Sequence, residues 1–255
     1  HDQTRRQRQM CIRDSHYFDV KGLNEFMKGL KAGGPTKSGH LTPAVITTLP
    51  SNATTVNEVL ANAWQSRHVL SAGVHGILNT HTRSAEAVAA FVATCRYPFQ
   101  KLGQEQIPEG LRGAGGQGEP AELWGMSKEE YVKKADPWPL NPDGELFLGL
   151  KIEDRHCVEN VEGIAAVPGI AFAEWGPGDM GMSYGLPDAH DPPYPKIMDQ
   201  AREKIKAALK KNNKVFYSSW NDLSMKPEER IKFIINEVGS GTVSYTHLRA
   251  HETPR

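Results

Sequence analysis

Helices that alternate with strands along the chain predict an α/β fold built on parallel strands. Two observations carry this. Several short β-rich runs are each separated from the next by a helical pattern. One of them, Leu146–Glu153, is apolar almost throughout apart from Lys151 and Glu153, as a strand buried on both faces should be. The pattern leaves open a doubly wound sheet or a (β/α)8 barrel. The length, 255 residues, suits one large domain or two small ones.

Taken in order, Val20, Leu23, Phe26, Met27 and Leu30 fall at helical spacing, and Gly33-Gly34-Pro35 stops the helix. Pro43–Leu49 reads as a strand closed by Pro50. Thr54–Ser71 reads as one helix, and Gly73–Asn79 as the next strand. Ser84 is placed to cap a helix running to about Cys95. Arg96–Glu145 reads as irregular, with one short helix near Ser127–Lys134. Then come strand Leu146–Glu153, helix Cys157–Ala165, strand Ile170–Trp175, helix Lys196–Lys211 and strand Val215–Ser219. A last helix is expected over Pro227–Val238, with Pro227 at its first position. The glycines of Gly110–Gly116 follow a helix and a loop rather than a first strand, so they are not a dinucleotide fingerprint.

Composition narrows the function. The 30 basic and 30 acidic side chains balance, which gives no electrostatic case for nucleic acid. No stretch approaches 18 apolar residues, so no membrane span is expected. Three cysteines far apart form neither a disulfide framework nor a metal knuckle, and a reducing, cytoplasmic setting is the expectation. The two ends read differently from the body. Met10-Cys11-Ile12-Arg13-Asp14 can be encoded by the reverse complement of codons for Val243-Ser244-Tyr245-Thr246-His247, an inverted repeat that resembles a translated sequencing adapter. Residues 1–15 and 243–255 are therefore read as non-native tails around a native body, 16–242. Without them the body holds 24 basic and 27 acidic residues.

In a barrel, chemistry sits where strands end. That rule points to Thr47-Thr48, to Glu153 and to Asp179. Glu153 ends an apolar strand, and Lys151, two residues earlier, points to the same side. Buried charges need partners, so this is a strand-end ion pair or part of a binding site. Asp179 follows Gly176-Pro177-Gly178 and reads as a helix N-cap or a ligand. Two carboxylates at successive strand ends suit a hard divalent cation, and free N–H groups near Gly178 suit an anion. His81, just past a strand end, reads as a substrate contact or an ordinary loop histidine.

Gly149-Leu-Lys-Ile-Glu153, Val158-Glu-Asn-Val-Glu-Gly-Ile164, Val167-Pro-Gly-Ile170, Gly176-Pro-Gly-Asp-Met180 and Ser183-Tyr-Gly185 together resemble the HpcH/HpaI aldolases. These are metal-dependent pyruvate aldolases related to the citrate lyase β subunit. Arg96-Tyr97-Pro98 and Gly110-Leu-Arg-Gly113 add to the likeness, which spans most of residues 20–240. The resemblance implies a partial (β/α)8 TIM barrel, lacking the first two strands and the last one. It implies Glu153 and Asp179 as ligands of Mg2+, Mn2+ or Co2+, and the backbone of Gly178 and Asp179 as the carboxylate site of a 2-oxo acid. The implied reaction is reversible aldol cleavage of a 2-oxo-3-deoxy or 4-hydroxy-2-oxo acid to pyruvate, or a similar 2-oxo acid, and an aldehyde. A homo-oligomer is implied, with no nucleic-acid or membrane partner.

Three features depart from the family pattern. Thr47-Thr48 stands where relatives end a strand with an Arg, which makes Thr48 a substrate-lining candidate. Lys151 stands where relatives often have Gln, and its charge is a candidate replacement for that Arg. His16 lies near the place of the family's catalytic base, a His in a loop before the first helix, and is a candidate for that role. Arg112 is a candidate anion contact. Two other readings stay open: a Schiff-base aldolase acting through Lys151, and a non-catalytic barrel that binds a 2-oxo acid.

Overall fold

A computed structural model of the chain describes residues 18–37 and 39–218. The helices are α1 (Val20–Ala32), α2 (Val56–Ala61), α3 (Ala63–Ser71), α4 (Ala85–Thr94), α5 (Gly118–Trp124), α6 (Lys128–Lys134), α7 (Arg155–Glu159), α8 (Val161–Ala166), α9 (Pro177–Ser183) and α10 (Lys196–Lys211). The strands are β1 (Ile46–Asn52), β2 (Gly76–Thr80), β3 (Pro137–Trp138), β4 (Leu146–Lys151), β5 (Phe172–Trp175) and β6 (Val215–Ser218). They form one sheet in the order β1-β2-β4-β5-β6, with short β3 also on β4, and every pairing is parallel. Hence all strands end at the same edge. No helix among the described residues is long and apolar enough to cross a membrane.

Period-two alternation divides the sheet into two faces. Leu146, Leu148, Leu150 and Ile152 face the helices and join the main core with Ala173, Trp175, Ile77 and Leu49. The other face carries Ile46, Leu78, Phe147, Phe172 and Val215, a smaller apolar layer. Gly149 belongs to this second face, where a β-carbon would strike the Phe172 ring. Above that layer, toward the strand ends, the residues in register turn polar: Thr80 beside Lys151 beside Glu174 beside Tyr217.

The structure corrects several boundaries, and the reasons are local. The helix expected over Thr54–Ser71 is two helices, broken at Asn62, and the one expected over Cys157–Ala165 is two, broken at Asn160. In both breaks the Asn side chain donates back to the carbonyl four residues earlier, Glu58 and His156 respectively. Asn competes with the helical ladder in this way and favours its interruption. Strand β1 does not close at Pro50 but runs through it to Asn52. Its pairing with β2 shifts register between Thr48 and Asn52, an irregularity in which the missing N–H of proline is tolerated. The stretch 96–145 also contains α5 and β3, which the sequence does not advertise. Helix α6 stands where expected, opened by a Ser127–Glu130 capping box. The helix expected over Pro227–Val238 lies outside the described residues.

A buried ion pair ties down that long stretch. Arg96 Nε and Nη2 donate to the two oxygens of Asp136 at 2.6 and 3.2 Å, and Arg96 Nη1 donates to the Leu102 carbonyl at 2.7 Å. Both side chains are nearly inaccessible. Arg96→Ala would leave Asp136 buried and unpaired, so it should cost about 3–5 kcal/mol of stability, measured by urea unfolding.

His75 gives the fold a pH dependence. Its Nδ1 accepts a hydrogen bond from the Val45 N–H at 3.3 Å, which requires a neutral ring. The ring lies flat on Trp124, 4.7 Å between centroids. Burial, with a smaller contribution from His40, pushes its pKa down to about 4 from 6.5. Between those values the unfolded chain binds a proton that the folded chain refuses. Stability present above pH 6.5 is therefore lost as the pH falls through the window to about 4, by roughly 3 kcal/mol. Urea titrations at pH 7 and 4.5 should show this loss, and His75→Gln should remove that part of the slope.

Candidate metal centre

Parallel strands deliver the ends of β2, β4 and β5 to one edge of the sheet. The residues just beyond them meet there. His81 follows β2, Glu153 follows β4, and Asp179 lies in the first turn of α9 after β5. Their ligand atoms all lie within 4.8 Å of one another. Lys151 Nζ stands 3.6 Å from Glu153 Oε1 and 3.9 Å from Glu174 Oε2. The sheet register predicts this second contact, since Lys151 is level with Glu174.

Glu153 is the centre of the group. It is 1% exposed. Its Oε1 has no hydrogen-bond partner among the described residues, although His81 Nε2 lies at 3.9 Å. Both that nitrogen and Lys151 Nζ are beyond hydrogen-bond reach. An orphaned, buried carboxylate oxygen in a natural fold calls for an explanation, and an ion is a leading one. The backbone comes in close on the other oxygen. A β-carbon on Gly176 would overlap Glu153 Oε2, so the glycine of Gly176-Pro177-Gly178 makes room for the carboxylate.

The charges follow from these surroundings. Burial pushes the Glu153 carboxyl up to about 8, and Glu174 and Asp179 add to the effect, against Lys151 and His81. Burial works against the Lys151 charge, but Glu174, Glu153 and Asp179 outweigh it and hold the ammonium above its ordinary range. His81 is raised chiefly by Asp154, against burial, with Glu153 and Asp179 assisting. Asp154 runs the other way. Burial opposes its charge, yet His81, the Cys157 N–H and Arg83 together hold it well below the usual carboxylate range. Glu153 and Asp179 could offer oxygen ligands of the kind a hard divalent cation prefers, and the orphaned Oε1 fits such an ion.

The structure brings Lys151, Glu153, Gly178 and Asp179 to one place. It does not bring Thr48 or Arg112 there. Because β1 runs on to Asn52, Thr48 is level with Leu78, in the apolar layer beneath the cluster, and Asn52 is level with Thr80. Arg112 lies beyond α4, which carries the chain back to the opposite edge. Its guanidinium sits 4.3 Å over the Tyr97 ring and donates through Nη2 to the Tyr131 hydroxyl at 2.9 Å, while its buried Nη1 has no hydrogen-bond partner among the described residues. His16 lies outside the described residues. Two participants go unread in the sequence, Glu174 and Asp154. Glu174 is a lone charge inside an apolar strand, on the side of Phe172, and that alternation is the signal that would have found it. Asp154 is masked by its ordinary role of capping α7 through the Cys157 N–H.

A family model described as HpcH/HpaI aldolase/citrate lyase matches residues 44–235. A 2-keto-3-deoxy-L-rhamnonate aldolase of Klebsiella pneumoniae is 31% identical over 156 residues, 61% of this chain and 52% of that protein. A hydroxypyruvate/pyruvate aldolase of Chromohalobacter salexigens is 31% identical over 141 residues, 55% of this chain and 48% of that protein. The chain thus spans about half the length of the curated relatives it matches. Among solved structures, an HpcH/HpaI aldolase of Desulfitobacterium hafniense superposes with a TM-score of 0.64 at 19% identity, covering 94% of this chain and 82% of that one. With its parallel α/β sheet and a family model matched from the start of the first strand to beyond the last described one, this chain belongs to the HpcH/HpaI aldolase/citrate lyase family.

Proposed function

We propose that the chain is a divalent-metal-dependent carbon–carbon lyase. It cleaves a 2-oxo-3-deoxy or 4-hydroxy-2-oxo acid reversibly into pyruvate, or a similar 2-oxo acid, and an aldehyde. One observation carries the reading: the buried, orphaned oxygen of Glu153 faces Asp179 at the strand ends of a family of aldolases. Glu153 and Asp179 would hold a cation such as Mg2+, Mn2+ or Co2+, which would supply Lewis acidity for the negative charge that develops on the keto oxygen as the carbon–carbon bond breaks. Lys151 contributes a fixed positive charge beside that oxygen. The N–H groups of Gly178 and Asp179 lie in the first turn of α9, where no earlier carbonyl of the helix can take them. The space over Gly178 is open, so the carboxylate of the 2-oxo acid is assigned there.

The finer architecture follows the same reading. The parallel sheet is taken as an arc of a (β/α)8 barrel, within a native body of 16–242 flanked by foreign tails. The whole protein is taken as a homo-oligomer. Cys95 and Cys157 are free and buried, which fits a cytoplasmic enzyme.

The test is proton exchange. With Mg2+, Mn2+ or Co2+ present, the full chain should exchange the methyl protons of pyruvate with solvent deuterium, followed by NMR, and EDTA should stop it. Exchange indifferent to EDTA refutes the metal, and no exchange with any of the three cations refutes the activity.

A further inference from the structure

We infer that His81 is a third ligand of this cation site, binding through Nε2, and that Asp154 aims it. The inference rests on the reading of Glu153 and Asp179 as ligands. It departs from a site made of carboxylates alone, because it adds a nitrogen donor.

The backbone is the first sign. His81 has φ of 52°, and only His81 and Asn213 are non-glycine residues with positive φ among those described. Such conformations persist where the surroundings impose them, and they gather at functional sites. Here the imposing contacts are visible. Thr82 is fully buried, and Asn79 Nδ2 donates to its hydroxyl at 3.1 Å. The chain is thereby turned sharply as it leaves β2.

The two ring nitrogens are the second sign, because they face different carboxylates. Nδ1 lies 3.4 Å from Asp154 Oδ2, and Nε2 lies 3.9 Å from Glu153 Oε1. Asp154 is itself fixed. Arg83 Nε donates to its Oδ2 at 3.0 Å, and the Cys157 N–H donates to its Oδ1 at 2.9 Å. A carboxylate on one ring nitrogen puts the proton there and leaves the other nitrogen's lone pair toward the site. At 3.4 Å the Asp154 contact is out of line for a hydrogen bond, since Nδ1 has no partner by that criterion. A small rotation of the ring would complete it.

The spacing is the third sign. A simple ion pair between His81 and Glu153 would close to hydrogen-bond length. Instead Glu153 Oε1 stays without a hydrogen-bond partner among the described residues, with His81 Nε2 3.9 Å away. Two ligands that each bind one ion at about 2.0–2.2 Å, at octahedral or tetrahedral angles, lie roughly 2.8–3.6 Å from each other, so the two groups would close by a few tenths of an ångström on an ion. Imidazole is a poor ligand for Mg2+ and a good one for later transition metals, so the site should favour Co2+ over Mg2+.

The probe is the full chain loaded with Mn2+, read by electron spin-echo envelope modulation. A directly bound 14N should appear, and His81→Gln should abolish that signal while Mn2+ stays bound. In calorimetry, His81→Gln should weaken Co2+ by about 10–100-fold and Mg2+ by less than about threefold. Asp154→Asn, which keeps the acceptor for the Cys157 N–H, should weaken Co2+ by about tenfold with the nitrogen signal retained. A wild-type spectrum without bound nitrogen overturns the inference, as does a signal that survives His81→Gln. Those results leave Glu153 and Asp179 as ligands. Mn2+ affinity unchanged by Glu153→Gln would instead overturn the underlying site.

Discussion

Glu153→Gln should lower Mn2+ affinity at least about 100-fold and turnover by about 1,000-fold or more, without unfolding the protein. The substitution is nearly isosteric, so the space that Gly176 leaves for the side chain stays filled. What changes is charge. An amide is a poor ligand for a hard cation, and loss of a ligand should exceed the 10–100-fold in metal affinity typical of groups one shell further out. Lewis-acid stabilisation is worth several kcal/mol, and about 1.4 kcal/mol is a factor of ten in rate. Stability should move the other way. Above about pH 8, where the buried carboxyl ionises beside Glu174 and Asp179, the neutral amide relieves desolvation and repulsion; at neutral pH it replaces a carboxyl already held largely neutral. The melting temperature of the metal-free variant should equal or exceed that of the metal-free wild type. Normal Mn2+ affinity in this variant would remove Glu153 from the site.

The parts of this centre that were legible share one property: they depend on local patterns. Lys151 and Glu153 stand out because charges interrupt an apolar strand, and alternation puts them on one side. Asp179 stands out through the Gly-Pro-Gly turn before it. The misplaced parts depend on things a pattern does not hold. Thr48 reads as a strand end because Pro50 normally closes a strand, and only the pairing with β2 shows that β1 shifts register there and runs on to Asn52. Arg112 looked like an anion contact because it is charged and sits among glycines. Its aromatic neighbours, Tyr97 and Tyr131, come from 15 residues upstream and 19 downstream and meet it only in three dimensions. His81 was ambiguous for a similar reason. One sequence cannot show that the loop after β2 and the segment after β4 lie side by side, yet the register of the two strands makes it unavoidable.

Lys151→Ala should separate metal binding from turnover. The ammonium lies between two carboxylates, at 3.6 Å from Glu153 and 3.9 Å from Glu174, and so competes with any cation for Glu153. Its removal should leave Mn2+ affinity equal or higher. Turnover should nevertheless fall by about 100- to 1,000-fold, the usual loss when one donor to a developing oxyanion is removed. Lys151→Arg, which keeps the charge, should recover part of it. The same surroundings argue against a covalent role. A Schiff base needs a neutral amine, which enzymes obtain by burying lysine away from anions. Here Glu174, Glu153 and Asp179 hold the proton on. Borohydride added with pyruvate should therefore leave no adduct on Lys151, as seen by mass spectrometry of the intact chain. An adduct would make Lys151 the nucleophile. Full activity in Lys151→Ala would show that the cation alone balances the oxyanion. The expected pattern, equal or tighter metal binding with a fallen rate and no adduct, follows from one feature of the sheet: Lys151 is in register with Glu174, two residues before Glu153 on the same face.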